Sequence, residues 1–399
     1  MELIISITHA YLAILYFVSH LIYSDGCTTI LVGAKASTTG SPMVTHTADC
    51  ADCDFRINKV PSRDWPHESF RNIYISRESY PHLVTNERGR TWRSDNLEDV
   101  PQRASWGNLS QVLGTIPQIN HTYALLEGLY GMINEHQLGM GESSCGSKLK
   151  VKSAAAGGEA IMSTDQLSAI AMERCKTARE AILLMGSLAE NHGFYGPVFD
   201  DTFWSNLEAG DTLGIVDKEE AWLFHISPDD TGRSAVWVAQ KLPEDGISIV
   251  ANHFMIKEVD PSSEDFLYSS NLWEVAERAG LWTPKDSPNG MLHFSKTFAF
   301  PLHEPYPHHT YSSRRVWNLF RVVKPSLYLT PYPDEMMDAY PWYVVPDEPI
   351  DPKLLINHMR NHFEGTPFDM TQGIAAGPYG NPDRFDFTAS FDGSLTSEQ

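Results

Sequence analysis

A single α+β domain is the fold that the sequence predicts, and three observations carry that expectation. Short β-branched and apolar runs alternate with stretches of 3.6-residue hydrophobic periodicity. No Pro/Gly/Ser linker, internal repeat or low-complexity tract divides the 399 residues into separate cores. A hydrophobic content of 42% with 20% charged residues suffices to bury a large core and excludes a disordered, collagen-like or coiled-coil chain.

The elements follow in order. Leu3 to Tyr23 is mostly apolar without Lys or Arg, and Ser24-Asp25-Gly26 follow it. Small residues three and one before Cys27 predict a signal peptide or propeptide over residues 1–26, cut between Gly26 and Cys27, and a mature domain over 27–399. Interruptions at His9, Ser19 and His20 make the segment a poor retained anchor, so no stable membrane insertion is expected after processing. Cys27 to Val32 and Pro42 to Thr47, joined by the turn residues Thr38 to Ser41, read as a buried hairpin. From Thr164 to Asn191, Leu167, Ile170, Ala171, Cys175, Ala178, Ile182 and Met185 keep helical spacing. Thr177 and Glu180 fit a capping box between two helices, and His192-Gly193 ends the second. Thr212–Asp217, Ala221–Ile226, Ser234–Lys241 and Ile247–Ala251 read as a four-strand antiparallel meander, Ser269–Gly280 as a helix, and Pro301–Pro352 as Pro-rich loops.

Charge and cysteine usage bound the function. Thirty Lys and Arg against 51 Asp and Glu give a net charge of −21, which repels phosphate backbones and excludes nucleic acid as the expected partner. Sequons at Asn108-Leu109-Ser110 and Asn120-His121-Thr122, in a polar stretch read as poor in strands, agree with an extracytoplasmic location, secreted or lysosomal. Five cysteines leave an odd one; if that is Cys27, then Cys50, Cys53, Cys145 and Cys175 are structural and have three ways to pair. The CxxC at Cys50 and Cys53 has no second CxxC or histidine pair at zinc spacing. With no HExxH and no Gly-rich phosphate loop, no metal and no cofactor are expected.

A cysteine at the start of a mature chain has a use that an internal one lacks. Its α-amino group, with a reference pKa of ~7.7–8, can take the thiol proton directly or through water, so nucleophile and base come as one residue. Otherwise Cys27 is a small buried hydrophobe behind a signal peptide.

The surrounding residues favour the first reading. CTTILVGAKASTTGSPMVTHTADC, LYGMINEHQLGMGESSC, GIVDKEEAWLFHI, IVANHF, YSSRRVW and GTPFDMTQGIAAGPYGNPDR occur in this order from Cys27 nearly to the C-terminus. Together they resemble the dipeptidase A and secernin family of N-terminal nucleophile (Ntn) hydrolases, distantly similar to penicillin V acylase and bile salt hydrolase. The resemblance implies a four-layer αββα Ntn-hydrolase sandwich, an N-terminal cysteine nucleophile, and hydrolysis of dipeptide amide bonds, with a small peptide as substrate. It places the nucleophile at Cys27, the carboxylate that orients its amino group at Asp49, the side-chain oxyanion donor at Asn252, and the arginine beside the nucleophile at Arg315, with Arg314 adjacent. A second oxyanion donor would be a backbone N–H, at Asn134 or Ser144.

Two departures stand out. His46 occupies a position where acylase relatives carry Arg; titrating near ~6.5, it would make the local charge depend on pH. Relatives continue with further strands where this sequence runs out through Phe391 to Gln399, so the resemblance implies an incomplete C-terminus. Three functions are compatible: a cysteine dipeptidase, an amidase for acylated small molecules on the same machinery, or a non-catalytic, secernin-like trafficking protein. Oligomeric state is not legible.

Overall fold

The computed structural model describes residues 27–48, 57–75, 112–197, 209–287, 289–300, 311–331 and 340–373. β1 (Thr28–Val32) and β2 (Met43–Thr47) form the expected hairpin, Thr28 opposite Thr47 and Val32 opposite Met43. The chain continues through β3 (Asn58–Val60), β4 (Leu125–Glu127), β5 (Gly131–Asn134), β6 (Gly139–Cys145), β7 (Gly210–Val216), β8 (Ala221–Pro228), β9 (Ala235–Lys241), β10 (Ile247–Val250), β11 (Phe266–Tyr268) and β12 (Tyr343–Val344). Among the described residues these strands build an eight-stranded antiparallel sheet, β11-β9-β8-β7-β6-β5-β4-β3, and a four-stranded one, β12-β10-β1-β2. The helices are α1 (Thr164–Arg174), α2 (Ala178–His192), α3 (Leu272–Arg278), α4 (Phe294–Phe298), α5 (Tyr311–Val323) and α6 (Pro352–His358).

Period-2 alternation assigns the faces. On β8, Trp222, Phe224 and Ile226 join a core with Ile170, Ile182 and Met185 of α1 and α2, whereas Ala221 and Leu223 join a second core with Ile30, Ile249 and Phe320. The larger sheet is therefore apolar on both faces, one under α1 and α2 and the other toward β1 and β2. α5 packs on β10 of the smaller sheet. Close approach of the two sheets requires glycine at two positions. A Cβ on Gly141 would lie 2.6 Å from the Thr29 hydroxyl oxygen, and one on Gly214 would lie 2.9 Å from the same atom.

Local expectations hold best where the signal is local. Thr177 and Glu180 form the capping box that starts α2. Three expectations need correction. β10 does not extend the meander after β9: it crosses to the other sheet and pairs antiparallel with β1, Val250 opposite Thr29. The Pro-rich region contains α5, because between Pro307 and Pro325 the apolar residues Val316, Leu319, Phe320 and Val323 keep helical spacing and are buried. The surroundings of the second sequon are not strand-poor. Exposed Asn120 lies between strands Val112–Pro117 and His121–Thr122, while Asn108 lies outside the described residues.

Candidate active site

Cys27 stands at the head of β1 with only 8% of its surface exposed. Its carbonyl oxygen accepts two hydrogen bonds, from Ser143 Oγ at 3.0 Å and from Arg315 Nη1 at 2.9 Å. The same Nη1 donates to Thr28 Oγ1 at 2.9 Å. Alternation along the strand puts the Cys27 side chain on the face of Thr29, whose hydroxyl lies against Gly141 and Gly214 of the larger sheet.

Asn252 follows β10 and is fully buried, with φ of 58°, a left-handed conformation that asparagine tolerates better than most residues. Its backbone N–H donates to Ser143 Oγ at 2.9 Å, and its side-chain Nδ2 donates to the Ser144 carbonyl at 2.7 Å. Arg315 Nη2 donates to Asn252 Oδ1 at 2.7 Å. Guanidinium has no acceptor, so this contact fixes which end of the amide faces Arg315 and turns Nδ2 toward Ser144. One Nδ2 hydrogen serves the Ser144 carbonyl, and the amide carries a second. Val316, Leu319 and Phe320 are buried and anchor α5, the helix that carries Arg315. Neighbouring Arg314 does not take its place: its guanidinium lies 3.7 Å from the centroid of the Phe368 ring.

The other candidates divide. Ser144 joins the cluster through its carbonyl, while its hydroxyl donates to Glu142 Oε1 at 2.8 Å. Glu142 and Ser144 turn their backbone groups to the edge of β6 away from β7. There His46 Nδ1 lies 2.8 Å from the Glu142 carbonyl oxygen and 3.0 Å from its nitrogen. His46 is thus a bridge between β2 and β6, with its ring edge-on to Tyr130 at 5.8 Å. Burial lowers its pKa to about 4, opposed by the Glu142 backbone bond, so the expectation of a residue titrating near 6.5 is corrected.

Asn134 belongs elsewhere. Its side chain donates to the carbonyls of Met172 and Cys175 at 2.9 and 2.8 Å, closing the end of α1, and accepts from the N–H groups of His136 and Leu138. Its backbone N–H donates to the Leu138 carbonyl at 3.0 Å, so the structure does not bring this group to Cys27. Asp49 lies outside the described residues, as do Cys50 and Cys53. Cys145 and Cys175 are thiols in different cores on opposite faces of the larger sheet, which corrects the expectation that they belong to disulfides. Burial pushes the Cys175 pKa up to about 12. Among the described residues no group of three or more His, Cys, Asp and Glu side chains is placed to hold a metal ion.

Ser143 is the residue that sequence reasoning missed. In GMGESSC, Gly139, Gly141, Ser143 and Cys145 are all small and recur every second residue, which marks the face of β6 that lies against another sheet. Ser143 is on that face and Ser144 is not.

The comparisons bear on this geometry. The family model described as peptidase family C69 matches residues 26–386. A protein named probable dipeptidase A from Streptococcus pyogenes serotype M18 is 23% identical over 365 residues, 89% of this chain and 63% of the relative. A dipeptidase from Bifidobacterium longum is 25% identical over 86% of this chain and 60% of its own length, and a probable dipeptidase from Salmonella dublin is 25% identical over 51% and 41%. The chain thus spans no more than about two thirds of the length of these relatives. With the family model covering most of the chain, residues 26–386, the chain belongs to peptidase family C69.

Proposed function

We propose that the protein is an extracytoplasmic cysteine dipeptidase that acts through Cys27 as an N-terminal nucleophile, on a four-layer αββα sandwich with α1 and α2 outside the larger sheet and α5 outside the smaller. The observation that carries the reading is the convergence of Ser143, Asn252 and Arg315 on the first residue of the expected mature chain. The dipeptidase names of the relatives supply the substrate class, a small peptide.

Cleavage before Cys27 would release an α-amino group that takes the thiol proton. The thiolate attacks the scissile carbonyl, and negative charge develops on its oxygen. Asn252 Nδ2 is aimed by Arg315 and donates to that oxygen. The N–H of Ser144 projects along the same edge of β6 as its carbonyl, beside Nδ2, and is the second donor. Losing one such donor typically lowers kcat by ~10²–10³. The ammonium then protonates the leaving amine, and water hydrolyses the thioester.

The test combines N-terminal sequencing of active protein with turnover of a dipeptide panel and a set of acyl-amides. Active protein should begin at Cys27, Cys27→Ala should fold and be inactive, and Cys27→Ser should retain little activity. Full activity with an intact Gly26-Cys27 bond, or in Cys27→Ala, overturns the reading; turnover of acyl-amides but not dipeptides assigns the same machinery to an amidase.

A further inference from the structure

Asn252 belongs to a buried segment, residues 251–256, that leaves the smaller sheet and lies against the inner face of the larger one. Buried backbone N–H groups outside regular structure need other partners. Three of them in this segment find side chains in a single row. Ser143, Thr212 and His225 are directly opposite one another on β6, β7 and β8, so they share one face of the sheet. At one end of the row Ser143 Oγ accepts the Asn252 N–H at 2.9 Å. At the other, His225 Nε2 lies 2.9 Å from the Met255 N and 3.1 Å from the Ile256 N.

These contacts fix the chemistry of the row. Two backbone donors on Nε2 require that nitrogen to be an acceptor, so the ring is neutral and carries its hydrogen on Nδ1. Nδ1 lies 2.7 Å from Thr212 Oγ1 and donates to it. The Thr212 hydroxyl then points on to Cys145 Sγ at 3.2 Å, and the Cys145 thiol donates to the Ser143 carbonyl at 3.3 Å. The chain of donors runs in one direction from His225 back to the strand that holds Ser143. His225 is fully buried against the rings of Phe254 and Phe294, which also touch each other, and there desolvation, and secondarily His253, hold its pKa well below the ordinary histidine value.

We infer that His225 is a positioning residue for catalysis: as the Nδ1–H tautomer, it anchors the far end of the segment that carries Asn252 and so sets where the oxyanion donor stands. The inference rests on the dipeptidase reading for its link to turnover. Its structural half does not.

The test is made on the full chain with a dipeptide such as alanyl-leucine. His225→Phe keeps the ring volume and removes both hydrogen-bonding nitrogens. It should lower kcat by between about tenfold and a hundredfold, with KM within about twofold, the range expected when a supporting group shifts a catalytic one. His225→Gln offers an oxygen near the position of Nε2 and should recover most of the loss. In an Asn252→Ala background His225→Phe should cost less than about threefold more, because its effect passes through Asn252. Hydrogen exchange at the Met255 and Ile256 amides should quicken in His225→Phe and not in His225→Gln. If His225→Phe does not fold, Thr212→Val carries the test, with a smaller fall in kcat and the same unchanged KM. An unchanged kcat, or an equal loss with and without Asn252, overturns the inference. If Cys27→Ala and Asn252→Ala retain full rates, the dipeptidase reading fails instead, and unchanged exchange at the two amides still refutes the anchor.

Discussion

Ser143→Ala tests the geometry of the cluster most directly. The hydroxyl does two things at once: it accepts the N–H of fully buried Asn252 at 2.9 Å and donates to the Cys27 carbonyl at 3.0 Å. The two losses are unequal. The Cys27 carbonyl keeps Arg315 as a donor, whereas the Asn252 N–H has no other acceptor among the described residues. A buried donor left unsatisfied costs about 1–3 kcal/mol, so stability should fall by that amount. On the proposed mechanism, activity should fall further than stability explains, by about tenfold or more per folded molecule, because the backbone of Asn252 is no longer pinned. Urea denaturation gives the first quantity, and kcat of the folded fraction gives the second. Ser144→Ala is the control. It removes a donor from the buried Glu142 carboxylate on the other face of β6, so it should destabilise while leaving kcat of the folded protein nearly unchanged. Wild-type stability and rate in Ser143→Ala, or equal kcat losses in both variants, would refute the assignment of Ser143 to the site face.

Further expectations concern titration and thiols. His46 has a folded pKa of about 4 against an unfolded value of ~6.5, so its contribution is fully present above pH ~6.5 and is lost as pH falls toward 4. Between pH 7 and 4 the wild type should therefore lose up to about 3 kcal/mol more stability than His46→Gln by urea titration, and parallel curves would show that the imidazole is not held neutral. The kcat/KM profiles of the two proteins should superimpose between about pH 5.5 and 8, and a separate acid limb in His46→Gln would restore the cationic role. Cys145 and Cys175 should be unreactive to a thiol reagent in the native, unreduced protein and should both react once it is unfolded; failure of either to react after unfolding would contradict its thiol state.

Much of this architecture is legible in the sequence because its causes are local. The β1–β2 hairpin is marked by β-branched residues around turn chemistry, and the α1–α2 break by a capping box that closes within three residues. What the sequence hides is pairing. Ile247–Val250 looks like the next strand of a meander, and nothing in its own residues says that β1 is the partner. α5 was concealed by the prolines on either side of it, although its buried face keeps helical spacing. At the site, Cys27, Asn252 and Arg315 come from the family resemblance, and the structure brings them within hydrogen-bonding reach. Asn134 and His46 illustrate the opposite lesson. Each is a polar residue assigned by the resemblance, yet the Asn134 side chain closes a turn and the His46 Nδ1 bridges to the edge of β6. Ser143 was missed for want of one period-2 argument applied to the small residues of β6.

The Arg315 contact with Cys27 spans 288 residues of chain, and that separation has a consequence in time. At ~5–20 residues per second of synthesis, Arg315 emerges on the order of 15 seconds to a minute after the residue it must meet. β1 can pair early with β2, but its other neighbour, β10, also arrives late. A polypeptide of this topology carries Cys27 through most of its own translation before Arg315 can reach it. On the dipeptidase reading proposed above, the nascent chain would lack a working centre until long-range closure brings α5 against β1.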